Sequence, residues 1–234
     1  MNQGKLIVID GTDGCGKHTQ TLLLKENLEN KGYLVKTIDF PQYGLKSAGP
    51  TEEYLNGKYG SSEDVDAYQA SVLYAVDRFD ASFKIKKWLR EGKFVICDRY
   101  VSANMGHQAG KIEDLEEREK FLDWLFNLEF NIFKIPKPDI NIFLYLDTEV
   151  ARKLAQNNTS KKFTNNIKEN DIHEKDSNHL KKALQAFKYV SKKYGWLEID
   201  CSNEDKIIRS REEISEEILG KVVGKLWLKR IYLK

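Results

Sequence analysis

Hydrophobic residues along this chain fall in short, continuous runs separated by longer segments of helical periodicity. "KLIVID" (Lys5–Asp10) is an apolar, β-branched run of strand length. With no polar alternation it predicts a strand buried on both faces, as in a parallel sheet. Lys17–Asn30 has helical character, with Leu22, Leu23 and Leu24 at its apolar centre and Gly32 placed to end it. "YLVKTIDF" (Tyr33–Phe40) predicts a second strand, closed by Pro41. A polar stretch follows, with a short helix predicted near Thr51–Leu55. A long helical pattern then runs from about Glu63 to Arg90 and stops at Gly92. "FVICDRY" (Phe94–Tyr100) is a third strand; Ser102–Ile112 and Leu115–Phe133 have helical patterns; "INIFLYLD" (Ile140–Asp147) is a fourth strand after Pro136 and Pro138. "WLEIDC" (Trp196–Cys201) is the fifth, and Arg211–Leu228 predicts a final helix.

Strands that alternate with helices predict an α/β fold, a parallel sheet with helices on both faces. The length, 234 residues, suits one domain. One segment does not fit a core. "QNNTSKKFTNNIKENDIHEKDSN" (Gln156–Asn178) is poor in apolar residues. It reads as a surface insertion or as a lid over phosphates, since it lies between a helix after a strand and the last strand.

Composition narrows the classes. A formal net charge of +2 gives no whole-protein case for a nucleic-acid polymer or a membrane surface. The N-terminal apolar run is too short for a signal peptide or a span. Cys15, Cys97 and Cys201 stand far apart without a C-x-x-C pair, which argues against a disulfide framework or zinc site and fits the reducing cytoplasm.

Four stretches carry chemistry. "GTDGCGKHTQ" contains a complete G-x-x-x-x-G-K from Gly11 to Lys17, after a strand and opening a helix. Small residues there turn backbone N–H groups toward phosphates, and the helix N-terminus adds partial positive charge. Gly11, Gly14, Cys15, Gly16, Lys17, His18 and Thr19 form the phosphate-binding set. The residue after the lysine is ordinarily Ser or Thr, whose hydroxyl helps hold Mg²⁺; here it is His18. In "CDRY", Asp98 ends an apolar strand, where open α/β sheets bind ligands, and a carboxylate there can hold the water shell of Mg²⁺. Arg99 beside it can grip a phosphate, or the two can form a structural ion pair. In "YAVDR", Tyr74 and Arg78 share a helix face, suited to stacking on a base and bonding its edge; spacing alone favours a core tyrosine beside a surface arginine. In "NMGHQ", Asn104, His107 and Gln108 share a face, and amides can read a base edge.

Taken in order, "IDGTDGCGKHTQ", "DFPQYG", "LYAVDR", "DRYVSANMGHQ", "FLYLD" and "NDIHEKD" resemble the thymidylate kinase family, from Leu6 to about Asp200. The resemblance implies a P-loop kinase fold, a five-stranded sheet of order 2-3-1-4-5 with a small lid at about residues 156–171. It implies transfer of the γ-phosphoryl of ATP to dTMP, with Mg²⁺. Lys17 and its loop would hold ATP. Asp13 would lie near the acceptor sugar or the metal, and Phe40 and Tyr43 would wall the acceptor pocket. Tyr74 would stack on thymine and Arg78 would bond a carbonyl at its edge. Arg99 would bind the acceptor phosphate, Asp98 the Mg²⁺ shell through water, and Asn104 and Gln108 would face the base. Lys17, Arg99, Asp98 and Asp13 are thus the catalytic set. Asp171 and Glu174 match acidic residues after the family's lid. The family also implies a homodimer paired through helices, for which Phe121–Phe133 is apolar enough, though core burial explains that stretch equally well.

Three departures stand out. Gln42 follows Phe-Pro where the family often has an arginine. Gly14 occupies the loop position where some members carry one. The lid segment then offers only Lys161, Lys162 and Lys168, point charges without the guanidinium fork. A related kinase with another pyrimidine acceptor, or a nucleotide-binding protein without turnover, are the rival readings.

Overall fold

The computed structural model describes residues 4–61, 63–146, 150 and 177–231, without the side chains of 177–179 and 227–231. Its strands are β1 (Lys5–Gly11), β2 (Val35–Asp39), β3 (Phe94–Asp98), β4 (Ile140–Tyr145) and β5 (Leu197–Asp200). They pair in the order β2-β3-β1-β4-β5, every pair parallel. The described helices are α1 (Lys17–Asn30), α2 (Gly49–Leu55), α3 (Ala67–Arg90), α4 (Val101–His107), α5 (Leu115–Phe126), α6 (Ser177–Tyr194) and α7 (Arg211–Ile231).

The continuous apolar runs are buried on both sides because successive residues point to opposite faces. Leu6 and Val8 of β1, with Val95 and Cys97 of β3, join a core with Ala81 and Ile85 of α3, Met105 of α4, Phe121 of α5 and Val190 of α6. Ile7 and Ile9, with Ile96, Ile142 and Leu144, join a second core with Leu24 and Leu28 of α1 and Ile214, Ile218 and Val222 of α7. The α1–α7 contact is pinned by Gln20 donating to the Arg211 carbonyl at 3.0 Å and Asn27 to Ser215 Oγ at 3.0 Å.

Several boundaries differ from the sequence pattern for identifiable reasons. α3 begins at Ala67, not Glu63, because Asp66 and Gln69 close a capping box. β2 omits Tyr33 and Leu34, which are exposed. The helical pattern Ser102–Ile112 is broken after His107, and a single 3₁₀ turn follows at Ala109–Lys111. Leu115–Phe133 is α-helical only to Phe126; Asn127–Ile132 widens into a π-helical turn that ends before Lys134, at φ 52°. Such turns re-aim side chains, and this one carries Glu129, which is fully buried. Phe121, Leu122 and Leu125 are also fully buried and pack into the core, while Ile132 at the far end of the stretch is 61% exposed. Asp147, the expected end of the fourth strand, is outside the described residues.

Candidate active site

β1, β3 and α1 deliver the phosphate loop to the carboxyl edge of the sheet. At Gly11 the backbone turns at φ 151°, and an added Cβ would lie 1.9 Å from the Leu144 carbonyl oxygen. Only glycine lets β1 run this close to β4 while the chain enters the loop. Gly16 then caps α1 in the left-handed conformation. Lys17, 8% exposed, donates to the carbonyls of Gly11 at 3.2 Å and Thr12 at 2.9 Å. Gly14 and His18 face solvent and Thr19 is half-buried in the first turn. Cys15 is buried, which pushes its thiol pKa up; it is a filler, not a reactive thiolate.

Arg99 links the loop to the neighbouring cleft. It leaves β3 at φ 67°, an uncommon conformation for a residue with a side chain, while its amide donates to the Ile9 carbonyl at 2.9 Å. Its Nη2 is hydrogen-bonded to Asp13 Oδ1. Burial pushes the Asp13 carboxyl up, but Arg99 and Lys17 together outweigh this and hold it well below the usual carboxylate range. Beneath them Asp10 is buried and accepts from the Gly11 amide and Ser102 Oγ, each at 2.8 Å.

Asp98 stands opposite Asp39 in the β2–β3 register. Its pKa is raised, first by burial and also by the Asp39 charge, against the lowering effects of Lys17 and Arg99. His18 Nδ1 lies 3.7 Å from Asp98 Oδ2, and one ligand atom each from His18, Asp39 and Asp98 fall within 4.8 Å of one another. The two carboxylates suit a hard divalent cation, which would relieve their mutual repulsion. The imidazole is a poor direct ligand for Mg²⁺, which prefers oxygen and keeps its waters.

Every residue that the resemblance assigns to the acceptor lines one cleft of about 560 Å³: Asp13, Phe40, Tyr43, Tyr74, Arg78, Arg99, Asn104 and Gln108. Phe40 and Tyr100 meet at 5.6 Å between ring centroids, and Tyr74 stands edge-on to Tyr54 at 6.3 Å. Arg78 is not a surface residue. It is 1% exposed and gives Nε and Nη2 to Glu129 Oε1, at 2.9 and 2.5 Å. Its Nη1 lies 3.4 Å from Asn104 Oδ1 and from the Tyr100 carbonyl. Asn104 Nδ2 and Gln108 Oε1 are buried with no hydrogen-bond partner among the described residues. An unspent donor and an unspent acceptor in one cleft wall suit a ligand that carries both, since buried polar groups otherwise find partners.

Sequence reasoning missed three contributors. Glu129 holds Arg78; its signal was a lone carboxylate in the apolar stretch "WLFNLEFNIF". Asp77 is 1% exposed and accepts from the Gln42 amide at 2.8 Å, Gln42 Nε2 at 3.0 Å and Ser47 Oγ at 2.7 Å. Gln42 is therefore turned toward α3, and the position where the family often has an arginine serves here to tie down the Phe-Pro loop. His107, noted only as sharing a face with the amides, also lines the cleft. The lid residues Lys161, Lys162, Lys168, Asp171 and Glu174 lie outside the described residues.

Comparison with known proteins identifies the family and agrees with the fold. A family model described as thymidylate kinase matches residues 9–211. Thymidylate kinase of Mycobacterium tuberculosis is 33% identical over 147 residues, 62% of this chain and 68% of that protein. Human thymidylate kinase is 27% identical over 234 residues, 96% of this chain and 98% of its own length. The solved structure of thymidylate kinase from Candida albicans superposes with a TM-score of 0.71 at 22% identity, covering 95% of this chain and 92% of that one, and supports the fold. With a loop, a cleft and a sheet order that all agree, the chain belongs to the thymidylate kinase family.

Proposed function

We propose that this chain carries out its family's reaction at the cleft described above: an acceptor-phosphate oxygen of dTMP attacks the γ-phosphorus of ATP, and ADP leaves as dTDP forms. The observation that carries this assignment of the site is the Arg99–Asp13 link. It joins a phosphate loop to a cleft whose far wall holds unspent amide groups. Phosphoryl transfer asks the protein for alignment and charge neutralisation more than for covalent chemistry. Loop amides and Lys17 hold the donor phosphates, with Lys17 exchanging its carbonyl partners for phosphate oxygens. Arg99 takes the acceptor phosphate, its guanidinium already aimed by Asp13. Phe40 and Tyr74 confine the pyrimidine, and Arg78 Nη1, Asn104 and Gln108 meet its carbonyl and N–H edge. Asp98 would hold the water shell of Mg²⁺, which would supply charge neutralisation at the phosphates. On this reading Lys161, Lys162 and Lys168 supply further cations, and Asp171 and Glu174 are the acidic residues that follow them in sequence.

The chain acts as a homodimer. The support is an apolar stripe on α3, Val72, Val76, Phe79 and Phe83, which are 40, 42, 39 and 62% exposed at helical spacing. A cytoplasmic location is supported by three free, buried cysteines; among the described residues no helix is long and apolar enough to cross a membrane.

The test is a coupled ADP-release assay across a panel of nucleosides and nucleoside monophosphates. Turnover is expected with dTMP, weaker turnover with dUMP, and a loss of at least about a hundredfold in kcat/KM for Arg99→Ala. Turnover confined to nucleosides, or no turnover with any acceptor, would overturn the reading.

A further inference from the structure

Among the residues lining the cleft, His107 has no part in the roles given so far. It is the last residue of α4, three positions after Asn104. Its Nε2 lies 3.2 Å from Arg99 Nη1. A guanidinium is protonated at every relevant pH and has only donors, so for this contact to be a hydrogen bond the imidazole presents a lone pair at Nε2 and carries its hydrogen on Nδ1. We propose that His107 is a positioning residue for the acceptor phosphate: as a neutral imidazole it accepts a hydrogen bond from Arg99 and fixes the orientation of that guanidinium in the cleft. This rests on the kinase reading and adds to it the part that directs Arg99.

The ring is held for this task from behind. Phe187 of α6 meets it edge to face, with centroids 5.3 Å apart at 88°. Phe187 is itself stacked on Phe143 of β4 at 5.1 Å and 9°. The approach is possible because the residue before His107 is Gly106, where an added Cβ would lie 2.3 Å from the Phe187 ring. A line of packed rings thus runs from the sheet through Phe143 and Phe187 to His107, and ends at Arg99. Arg99 needs such support. It leaves β3 in a left-handed backbone conformation and its side chain is partly exposed. With Nη2 on Asp13 and Nη1 on His107, rotation of the guanidinium is stopped at both ends, and its remaining N–H groups are left for phosphate oxygens. Pre-set donors lower the ordering cost of binding a planar, bidentate ligand group.

Two substitutions separate accepting a hydrogen bond from filling space. His107→Phe keeps a ring against Phe187 but removes the acceptor. His107→Gln removes the ring but places an amide oxygen at about the reach of Nε2. The KM for dTMP is expected to rise about tenfold in H107F and to stay within about threefold of wild type in H107Q, with kcat and the KM for ATP little changed in both. A role in packing alone gives the reverse order, and that order overturns the proposal. A second measurement does not depend on turnover or on the variants. In ¹⁵N NMR of the ligand-free protein near neutral pH, His107 Nε2 is expected at the resonance of an unprotonated imidazole nitrogen; a protonated Nε2 overturns the proposal. Should wild type fail to phosphorylate dTMP, the kinase reading falls, while the ¹⁵N spectrum still decides the Arg99–His107 bond.

Discussion

Arg78 Nη2 and Glu129 Oε1 lie 2.5 Å apart, with side chains 1% and 0% exposed. A buried ion pair contributes little net stability, but removing one partner leaves a charge without solvent or counter-charge. Glu129→Ala is therefore expected to cost about 3–5 kcal/mol in urea unfolding and to raise the KM for dTMP. Glu129→Gln should cost less, since its amide oxygen still accepts from the guanidinium. A loss in Glu129→Ala under about 1 kcal/mol would mean that the π-helical turn relaxes and admits water to Arg78.

Asp77 plays a comparable part for the Phe-Pro loop. Three donors from Gln42 and Ser47 converge on its buried carboxylate. Asp77→Ala leaves them unsatisfied at about 1–3 kcal/mol each before water enters. Because this loop carries Phe40, the KM for dTMP should rise by about tenfold while the KM for ATP stays near wild type. Equal changes in both constants would place Asp77 in general stability and not in loop positioning.

How much of this was legible beforehand follows from the range of each signal. All five strands were read to within two residues at either end, because a run such as "KLIVID" leaves few alternatives once buried on both faces. The phosphate loop was equally plain, since its glycines, lysine, strand and helix lie within one short stretch. Partners distant in sequence were not readable. Arg78 and Glu129 are separated by 51 positions and Gln42 and Asp77 by 35, and no local periodicity encodes such pairings. The break at His107 and the widened turn at Asn127–Ile132 were missed for the same reason: local helical pattern continues through both, and tertiary contacts decide. Phe121–Phe133, whose apolar content fits an interface or a core equally well, has both characters: Phe121, Leu122 and Leu125 are core, while Ile132 is exposed and Phe133 meets Phe79 of α3.

The exposed stripe on α3 gives a third prediction. Phe79 and Phe83 touch each other at 5.4 Å between centroids, and Phe79 also meets Phe133 at 5.0 Å. Glutamate at both positions should shift sedimentation from dimer toward monomer at micromolar protein concentration, with helical circular dichroism unchanged. An undiminished dimer would place the interface on another face.

His18 supplies a fourth. Its imidazole is exposed and replaces the hydroxyl that ordinarily follows the loop lysine. If Asp98 and nucleotide oxygens hold the metal, His18→Ser should lower the Mg²⁺ concentration for half-maximal rate by less than about tenfold and leave kcat within about tenfold. A rate gain of several orders of magnitude would show that the histidine obstructs the metal site.

Lys111 gives a prediction in pH. Its Nζ donates to Tyr54 Oη at 3.0 Å and to the Val65 carbonyl at 2.8 Å, beside the Tyr54–Tyr74 pair. Burial brings its pKa down to about 8, with Asp66 opposing the shift. The charged form is thus disfavoured in the fold relative to the unfolded chain, where lysine titrates near its ordinary 10.5. Between these values the unfolded chain binds the extra proton, so the contribution of Lys111 to stability rises with pH, by up to about 1.4 kcal/mol per unit. Below about pH 8 both states are protonated and the contribution is flat. Urea unfolding at pH 7.5 and 9.5, compared between wild type and Lys111→Met, isolates it from the other groups that titrate there. The wild type should gain stability relative to the variant at the higher pH. A gap between the two proteins that does not change with pH would mean that the ammonium keeps enough water to titrate normally.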